Sequence, residues 1–114
     1  MPFIRVTTNA ELSDGSKELI ENRLCDAIQI IPGKSDSYLM ICVEDMKEMM
    51  FHRNRDKNIA MVEVKLFGSC SKSACGDLTE MICEILRDEA DVDPSYCYVK
   101  FEEVEKWGYN GFMF

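Results

Sequence analysis

Strand and helix patterns occur twice in the same order along this chain, and this repetition constrains the fold more than any other feature. Strands are indicated by alternating or β-branched apolar residues, and helices by apolar residues three and four positions apart. The successive elements are a strand at 3–8, a helix at 17–31, a strand at 37–43, a strand at 60–66, a helix at 73–89 and a strand at 96–102. Ile4 and Met40 are 36 positions apart and Val62 and Val99 are 37 apart, so the two halves have nearly the same length.

A duplicated β-α-β unit follows from this order, and we predict an α+β fold formed by one domain over residues 1–114. Right-handed crossovers then place both helices on one face of a four-stranded sheet. The opposite face carries charges such as Glu63, Lys65 and Lys100 among its apolar residues. That face needs cover from elsewhere, which predicts an oligomer built around a partly polar centre.

The segment between the halves, residues 44–58, is predicted to be a short extended piece followed by an exposed loop. The six cysteines lie at positions 25, 42, 70, 75, 83 and 97 and form no C-x-x-C pair. We expect them to be free, small buried side chains in a reducing compartment. His52 is the single histidine and the spacing of Cys70 and Cys75 is a weak metal signal, so neither a metal nor another cofactor is expected.

The charge balance argues against two classes of partner. Thirteen basic and 21 acidic residues give a net charge of −8. Nucleic acid and anionic membranes require a basic surface, so neither is expected as a partner. No apolar run reaches the roughly 20 residues of a membrane span, and the N-terminus lacks the apolar core of a signal peptide. These observations predict a cytoplasmic protein.

Three local features accompany the repeated order. Pro2 follows Met1 and opens the first strand, Lys34 follows Gly33 after the first helix, and the tail 107–114 is rich in aromatic residues and glycine. An aromatic tail on a small domain predicts an interface. Together, over essentially the whole chain, these features resemble the macrophage migration inhibitory factor family of the tautomerase superfamily, to which D-dopachrome tautomerase is related.

The resemblance implies a homotrimer with an active site at each subunit interface. It implies a keto–enol tautomerase acting on phenylpyruvate- or dopachrome-type substrates, such as small aromatic α-keto acids. The catalyst implied is Pro2, which would act as general base after removal of Met1. The substrate-binding residues implied by the resemblance are Lys34, Phe67, Trp107, Tyr109 and Phe114, together with Tyr98 and Lys100 of the neighbouring subunit.

An N-terminal amine suits this chemistry. Moving a proton from carbon to oxygen requires a base that is unprotonated near neutral pH. A free α-amino group has a pKa of about 7.7–8.0, and this pKa falls when the amine is desolvated in an aromatic pocket or lies near a cation such as Lys34. Lys34 can also pair with a substrate carboxylate or stabilise the enolate oxygen.

Two other functions remain open at this point. The same fold can serve as a signalling or host-modulating protein with vestigial catalysis. That function would add a protein receptor as partner and secretion without a signal peptide. The other alternative is a small regulatory ligand-binding domain of ferredoxin-like pattern, which predicts no obligate trimer.

The chain also departs from the family pattern. Where the family usually has Phe-Gly-Gly after the second strand, this chain has Phe51-His52-Arg53-Asn54. Family members commonly carry asparagine at the position of Lys100, tryptophan at that of Tyr109 and an aliphatic residue at that of Phe67, and the bulkier Phe67 is expected to reshape the pocket. The C-x-x-C redox motif of mammalian members is absent, so thiol–disulfide oxidoreductase activity is not implied.

Overall fold

A computed structural model describes all residues from 1 to 114. Its principal elements are β1 (Pro2–Thr8), α1 (Asp14–Ala27), β2 (Met40–Glu44), β3 (Ala60–Phe67), α2 (Lys72–Ala90), β4 (Cys97–Val104), β5 (Gly108–Tyr109) and β6 (Phe112–Met113). Strands β1 to β4 form one sheet in the order β2-β1-β3-β4. The central pair is antiparallel and both outer pairs are parallel. The predicted duplication of a β-α-β unit within an α+β fold is confirmed.

The core lies between the sheet and the two helices, and the strands alternate accordingly. In β1 the side chains of Ile4 and Val6 are fully buried, while their neighbours in sequence are half-buried on the other face. Strand β3 alternates in the same way, with Val62, Val64 and Leu66 facing the helices. Helix α2 contributes six buried residues to this core, namely Ala74, Leu78, Ile82, Ile85, Leu86 and Ala90. Neither helix combines the length and apolarity that a membrane span requires.

Capping side chains set the helix boundaries. The hydroxyl of Ser13 accepts a hydrogen bond from the N–H of Ser16, so α1 begins at Asp14, three residues before the predicted start. Its α-helical part ends at Ala27 and continues as one 3-10 turn over Ile28–Ile30. Gly33 then has a φ of +80°, a left-handed conformation that glycine adopts without steric cost.

The predicted start of the second strand at residue 37 is wrong. Residues Asp36–Tyr38 form a 3-10 turn, and β2 begins only at Met40. The hydroxyl of Ser35 caps this turn by accepting a hydrogen bond from the N–H of Ser37. Local capping by serine therefore outweighs the strand propensity of the residues that follow.

The expectation that all six cysteines are free and buried is also wrong. A disulfide joins Cys70 to Cys75 across the N-terminus of α2, because the first helical turn brings these two side chains together. The other four are free thiols, and each is only partly buried. Burial, together with a smaller effect of the neighbouring Cys83, raises the pKa of Cys97 to about 12.

The face of the sheet opposite the helices carries charges paired across the strands, and we call it the open face. Arg5 Nη1 lies 3.9 Å from Glu63 Oε2, and Lys65 Nζ lies 3.9 Å from Glu102 Oε2. Lys100 Nζ lies 3.0 Å from the other carboxylate oxygen of Glu102. The Arg5–Glu63 and Lys65–Glu102 pairs follow the strand register, whereas Lys100 and Glu102 lie two positions apart on β4. The open face is thus polar at its centre and has no cover within the chain.

Candidate active site

A cleft of about 580 Å³ lies where the first residues of β1 and β2 meet the C-terminal hairpin. Its lining residues are Met1, Pro2, Phe3, Ser37, Tyr38, Leu39, Met40, Lys65, Trp107, Gly108 and Tyr109. Parallel pairing of β1 with β2 sets Phe3 beside Met40, which brings the start of the chain and the Tyr38 turn together. Most of the lining is apolar or aromatic, as expected of a site for a small organic ligand.

The N-terminus is held against β3. Pro2 pairs with Leu66, and the N–H of Phe67 donates a hydrogen bond of 3.2 Å to the carbonyl oxygen of Met1. The side chain of Pro2 is buried. Burial lowers the pKa of the amino group of Met1 below its usual value, and the positive charge of Lys34 lowers it further. The start of β1 therefore lies in surroundings that favour a neutral amine.

Lys34 is held by the same segment. The turn at Gly33 directs its side chain toward the end of β3, where Nζ donates a hydrogen bond of 2.8 Å to the carbonyl oxygen of Phe67. Phe67 thus donates to Met1 and accepts from Lys34. This connection places the lysine charge close enough to act on the N-terminal amine, although Lys34 is not among the residues that line the cleft.

The aromatic tail folds back on its own chain as a small hairpin. Its turn has Asn110 and Gly111 at positive φ, and the N–H of Phe114 donates to the carbonyl oxygen of Trp107 at 2.9 Å. The rings of Tyr38 and Tyr109 meet edge to face at 5.5 Å between centroids. The centroid of Phe114 lies 6.2 Å from that of Tyr109 and 6.2 Å from that of Phe67. A continuous aromatic wall therefore connects the cleft to Phe67.

Two of the residues expected at the site lie elsewhere in the chain. Tyr98 is 60% exposed on β4 and packs on Phe51, with 4.8 Å between ring centroids. Lys100 pairs with Glu102 on the open face. One chain therefore brings together Pro2 and Lys34, with Phe67 and the three tail aromatics, but not Tyr98 or Lys100. These last two were expected from the neighbouring subunit, and that expectation stays a prediction.

The surroundings of Tyr98 form a second, smaller site. This apolar groove of about 150 Å³ is lined by Met49, Met50, Phe51, Ile59, Ala60, Met61, Tyr96 and Tyr98. Phe51 and Asn54 exchange two backbone hydrogen bonds around a tight turn, whose central residues His52 and Arg53 have φ of 52° and 58°. His52 and Arg53 occupy the positions where the family usually has two glycines. Their backbone thus has the left-handed conformation that glycine adopts most easily.

Sequence reasoning assigned no site role to most residues that line the cleft, among them Tyr38, Met40 and Lys65. Lys65 was placed correctly on the open face but was assigned no role. A signal was present, because Lys65 lies two positions before Phe67 in a strand and the two side chains therefore share a face. Tyr38 and Met40 gave no comparable signal, because the turn that holds Tyr38 and sets the start of β2 at Met40 was predicted to be strand.

Comparison with known proteins adds to this geometry. The family model described as Macrophage migration inhibitory factor (MIF) matches residues 1–114. The chain belongs to the macrophage migration inhibitory factor family. No curated protein sequence matches this chain.

Solved structures of MIF proteins share the fold. MIF2 of Leishmania major is 21% identical with a TM-score of 0.93, over 100% of this chain and 97% of that one. The MIF homologue of Prochlorococcus marinus is 23% identical with a TM-score of 0.88, over 98% of each chain. The MIF-like protein of Entamoeba histolytica is 23% identical with a TM-score of 0.88, over 99% of this chain and 98% of that one. At these identities the structural likeness shows the fold of this MIF-family chain, and its chemistry has to be argued from its own residues.

Proposed function

We propose that this MIF-family protein is a keto–enol tautomerase in which the nitrogen of Pro2, freed by removal of Met1, is the general base. One observation carries the proposal. Pro2 lines an aromatic cleft whose burial and nearby lysine already lower the pKa of the adjacent N-terminal amine. A lowered pKa increases the neutral fraction of an amine near pH 7, and only the neutral form can accept a proton.

Removal of Met1 is required by the chemistry of the nitrogen. While Met1 is present, the nitrogen of Pro2 belongs to a tertiary amide and has no basic lone pair. After removal it is a secondary amine at a position that the protein buries. It can then take the proton from the carbon next to the keto group, and protonation of the resulting enolate oxygen completes the isomerisation with no net gain or loss of atoms.

Lys34 supports the base by its charge. The ammonium group disfavours a second positive charge nearby, so it keeps the amine neutral. Its hydrogen bond to Phe67 fixes it in that position. The aromatic side chains of Trp107, Tyr109 and Phe114 in the C-terminal hairpin provide an apolar surface for a substrate with an aryl group.

We also propose that the protein is a homotrimer in which Tyr98 and Lys100 complete a neighbour's site. Two features support this assembly. The open face and the groove around Tyr98 are uncovered in one chain, and Tyr98 and Lys100 are both exposed there. A second class of function, signalling through a protein receptor, finds no specific support in the geometry.

The decisive experiment compares forms that differ only at the N-terminus. Phenylpyruvate tautomerisation is measured on protein shown by mass spectrometry to begin at Pro2, on protein that retains Met1, and on a form with an added alanine before Pro2. The last form keeps a free amine but displaces it by one residue. We expect activity only from the form that begins at Pro2. Equal activity from all three would exclude Pro2 as the base.

A covalent probe provides a second readout. One solved structure of the same fold, 11% identical with a TM-score of 0.86 over 97% of this chain and 95% of that one, is titled as Pt0534 inactivated by 2-oxo-3-pentynoate. A neutral secondary amine can add to the alkyne of this 2-oxo acid without a leaving group. We expect one equivalent to attach to the N-terminal peptide of the form that begins at Pro2. Labelling elsewhere would contradict a reactive amine at Pro2.

A further inference from the structure

We propose that the disulfide between Cys70 and Cys75 is a thiol–disulfide exchange site, which low-molecular-weight thiols open and their disulfides close while the fold stays intact. The site is separate from the cleft and does not depend on the proposed tautomerase. The two cysteines are five positions apart, on either side of the start of α2 at Lys72. Both are only partly buried, and the side chains of Ser71, Lys72 and Ser73 between them are exposed. The bond is therefore accessible to a small thiol from solvent.

The surrounding backbone keeps its shape without this bond. Ser71 caps α2 with its hydroxyl, which accepts a hydrogen bond of 3.1 Å from the N–H of Ala74. The N–H of Cys75 donates to the carbonyl oxygen of Ser71 at 3.0 Å. The N–H of Cys70 donates to Glu103 Oε2 at 2.9 Å. A disulfide across so short a loop also removes less freedom from the unfolded chain than one across a long loop. The reduced protein therefore keeps the helix and holds its two thiols near each other.

The helix favours departure of the Cys75 sulfur. Helical side chains point toward the N-terminus of their helix, so the side chain of Cys75 lies over the first turn of α2. The N–H groups of a first turn lack helical partners and stabilise negative charge. A thiolate stabilised in this way is the better leaving group when a disulfide is attacked. Attack by an external thiolate is therefore directed to the sulfur of Cys70.

The exchange conserves atoms and electrons. An external thiolate, RS⁻, attacks the sulfur of Cys70, and a new S–S bond forms as the bond to Cys75 breaks with its electron pair on Cys75. A second RS⁻ attacks the external sulfur of this mixed disulfide, which releases RSSR and the thiolate of Cys70. The two protein thiolates take up the protons that the two RSH molecules lost. Two RSH are thus oxidised to RSSR while the protein disulfide is reduced to two thiols, and excess RSSR reverses the reaction.

Two of the four free cysteines are poor competitors for this chemistry. Burial raises the pKa of Cys25, and nearby carboxylates such as that of Asp36 raise it further. The pKa of Cys97 is raised to about 12, chiefly by burial. A raised pKa leaves less of the thiolate, which is the reactive form, near neutral pH. Cys25 therefore serves as an internal reference for the reactivity of Cys70.

The test follows the state of every cysteine in the folded wild-type protein. Oxidised protein is incubated with millimolar reduced glutathione near neutral pH, free thiols are alkylated, and the alkylated positions are identified by peptide mass spectrometry. We expect Cys70 and Cys75 to become alkylated, and excess oxidised glutathione to protect both again. Circular dichroism of the oxidised and reduced forms should be the same.

Variants isolate the intermediate. Cys75→Ser leaves Cys70 without its partner, so oxidised glutathione should form a stable mixed disulfide with Cys70. In this variant Cys70 should react about tenfold faster than Cys25, because the rate follows access and the thiolate fraction. Cys25→Ser is the matched control and should leave the exchange at Cys70 and Cys75 unchanged.

Four outcomes would overturn the proposal. The disulfide stays closed in glutathione until the protein is denatured, or reduction removes the helical signal; either would identify a structural bond. All six cysteines are alkylated even after treatment with oxidised glutathione, or Cys25 and Cys70 react at the same rate in Cys75→Ser. Phenylpyruvate turnover is measured on the same samples to separate the two proposals. Exchange without turnover would refute the tautomerase and leave this site standing, whereas turnover without exchange would refute only this site.

Discussion

Pro2 is held in place because β1 pairs with β3 along its whole length, including its first residue. The ladder between β1 and β3 extends to Pro2 opposite Leu66, and this pairing does not depend on Met1. An N-terminus held in this way does not fray as most chain ends do. The amine can therefore keep a constant distance from a bound substrate, which a base needs for efficient proton transfer.

Replacing Pro2 by glycine tests whether the ring matters. Pro2→Gly keeps a terminal amine after removal of Met1 but loses the ring that restricts the backbone. We expect the same fold and the same assembly, with kcat for phenylpyruvate reduced about 100-fold, within the usual contribution of general base catalysis. Circular dichroism and sedimentation serve as controls. A variant with full kcat would show that the ring has no role.

Removing the charge of Lys34 should move the pH dependence of activity. The lysine lowers the pKa of the N-terminal amine, and the amine is active when neutral, so activity rises with pH through that pKa. In Lys34→Met the pKa increases, and the rising limb of kcat against pH should move to higher pH. The same change should appear in the amine pKa of the Met1-retaining protein, measured by NMR. Lys72→Met is the control, and a limb that stays in place would contradict the charge effect.

At the scale of single residues, Pro2, Lys34 and Trp107 were named as site residues because the resemblance to the family implied them, and their contacts were not predicted. Lys65 was not named, because a strand pattern tells which face a side chain occupies and not which part of that face becomes a cleft. The cleft lies where the first residues of the chain contact Tyr38 and the tail. No local sequence pattern predicts that contact.

At the scale of elements, the tight turn at Phe51–Asn54 has a backbone that its residues do not favour. His52 and Arg53 both have positive φ, which costs an L-residue roughly 1–2 kcal/mol. The ring of His52 lies 4.0 Å from that of Phe51 between centroids, and this contact supports the turn. Arg53 has no ion pair in the structure.

Glycine at position 53 should therefore stabilise the protein. Arg53→Gly removes the strain of positive φ but adds freedom to the unfolded chain, so we expect a net gain of about 0.5–1 kcal/mol in the free energy of unfolding. Urea denaturation measures it. Lys57→Gly is the matched control in the same loop, at a position without positive φ, and should destabilise. A loss of stability in Arg53→Gly would mean that the arginine makes contacts in the assembly.

The elements themselves were largely predictable, and the exceptions have local causes. The strands β3 and β4 were found because alternation is regular where one face is buried. The turn at Asp36–Tyr38 was missed because a serine cap competes with strand pairing over only three residues. The disulfide between Cys70 and Cys75 was missed because five positions of sequence do not show that two side chains are close. They are close because α2 begins between them, at Lys72.

At the scale of the whole molecule, two surfaces have no partner within the chain. The open face presents paired charges, and the C-terminal hairpin exposes Phe112 and Met113 at 72% and 68%. Each chain carries a net charge of −8, so assembly requires apolar contacts and charge pairs that outweigh mutual repulsion. The hairpin supplies apolar area at the position where the sequence predicted an interface.

Assembly can be tested through that hairpin. We expect sedimentation to give three times the mass of one chain at micromolar concentration. The double substitution Phe112→Ser with Met113→Ser should shift dissociation to a higher protein concentration, because two large apolar side chains are lost from the interface. Leu19→Ser, at a 49% exposed position on α1, is the control. A monodisperse wild-type monomer would refute the trimer.

The cleft joins parts of the chain that are far apart in synthesis. Trp107 and Tyr109 are made about 105 residues after Pro2, a delay on the order of ten seconds at usual translation rates. Pairing of β1 with β3 also waits for residues 60–67. On the proposed mechanism Met1 has to be removed, and during this interval its bond to Pro2 is not yet held against β3. The order of synthesis thus leaves time for that removal before the cleft forms around Pro2.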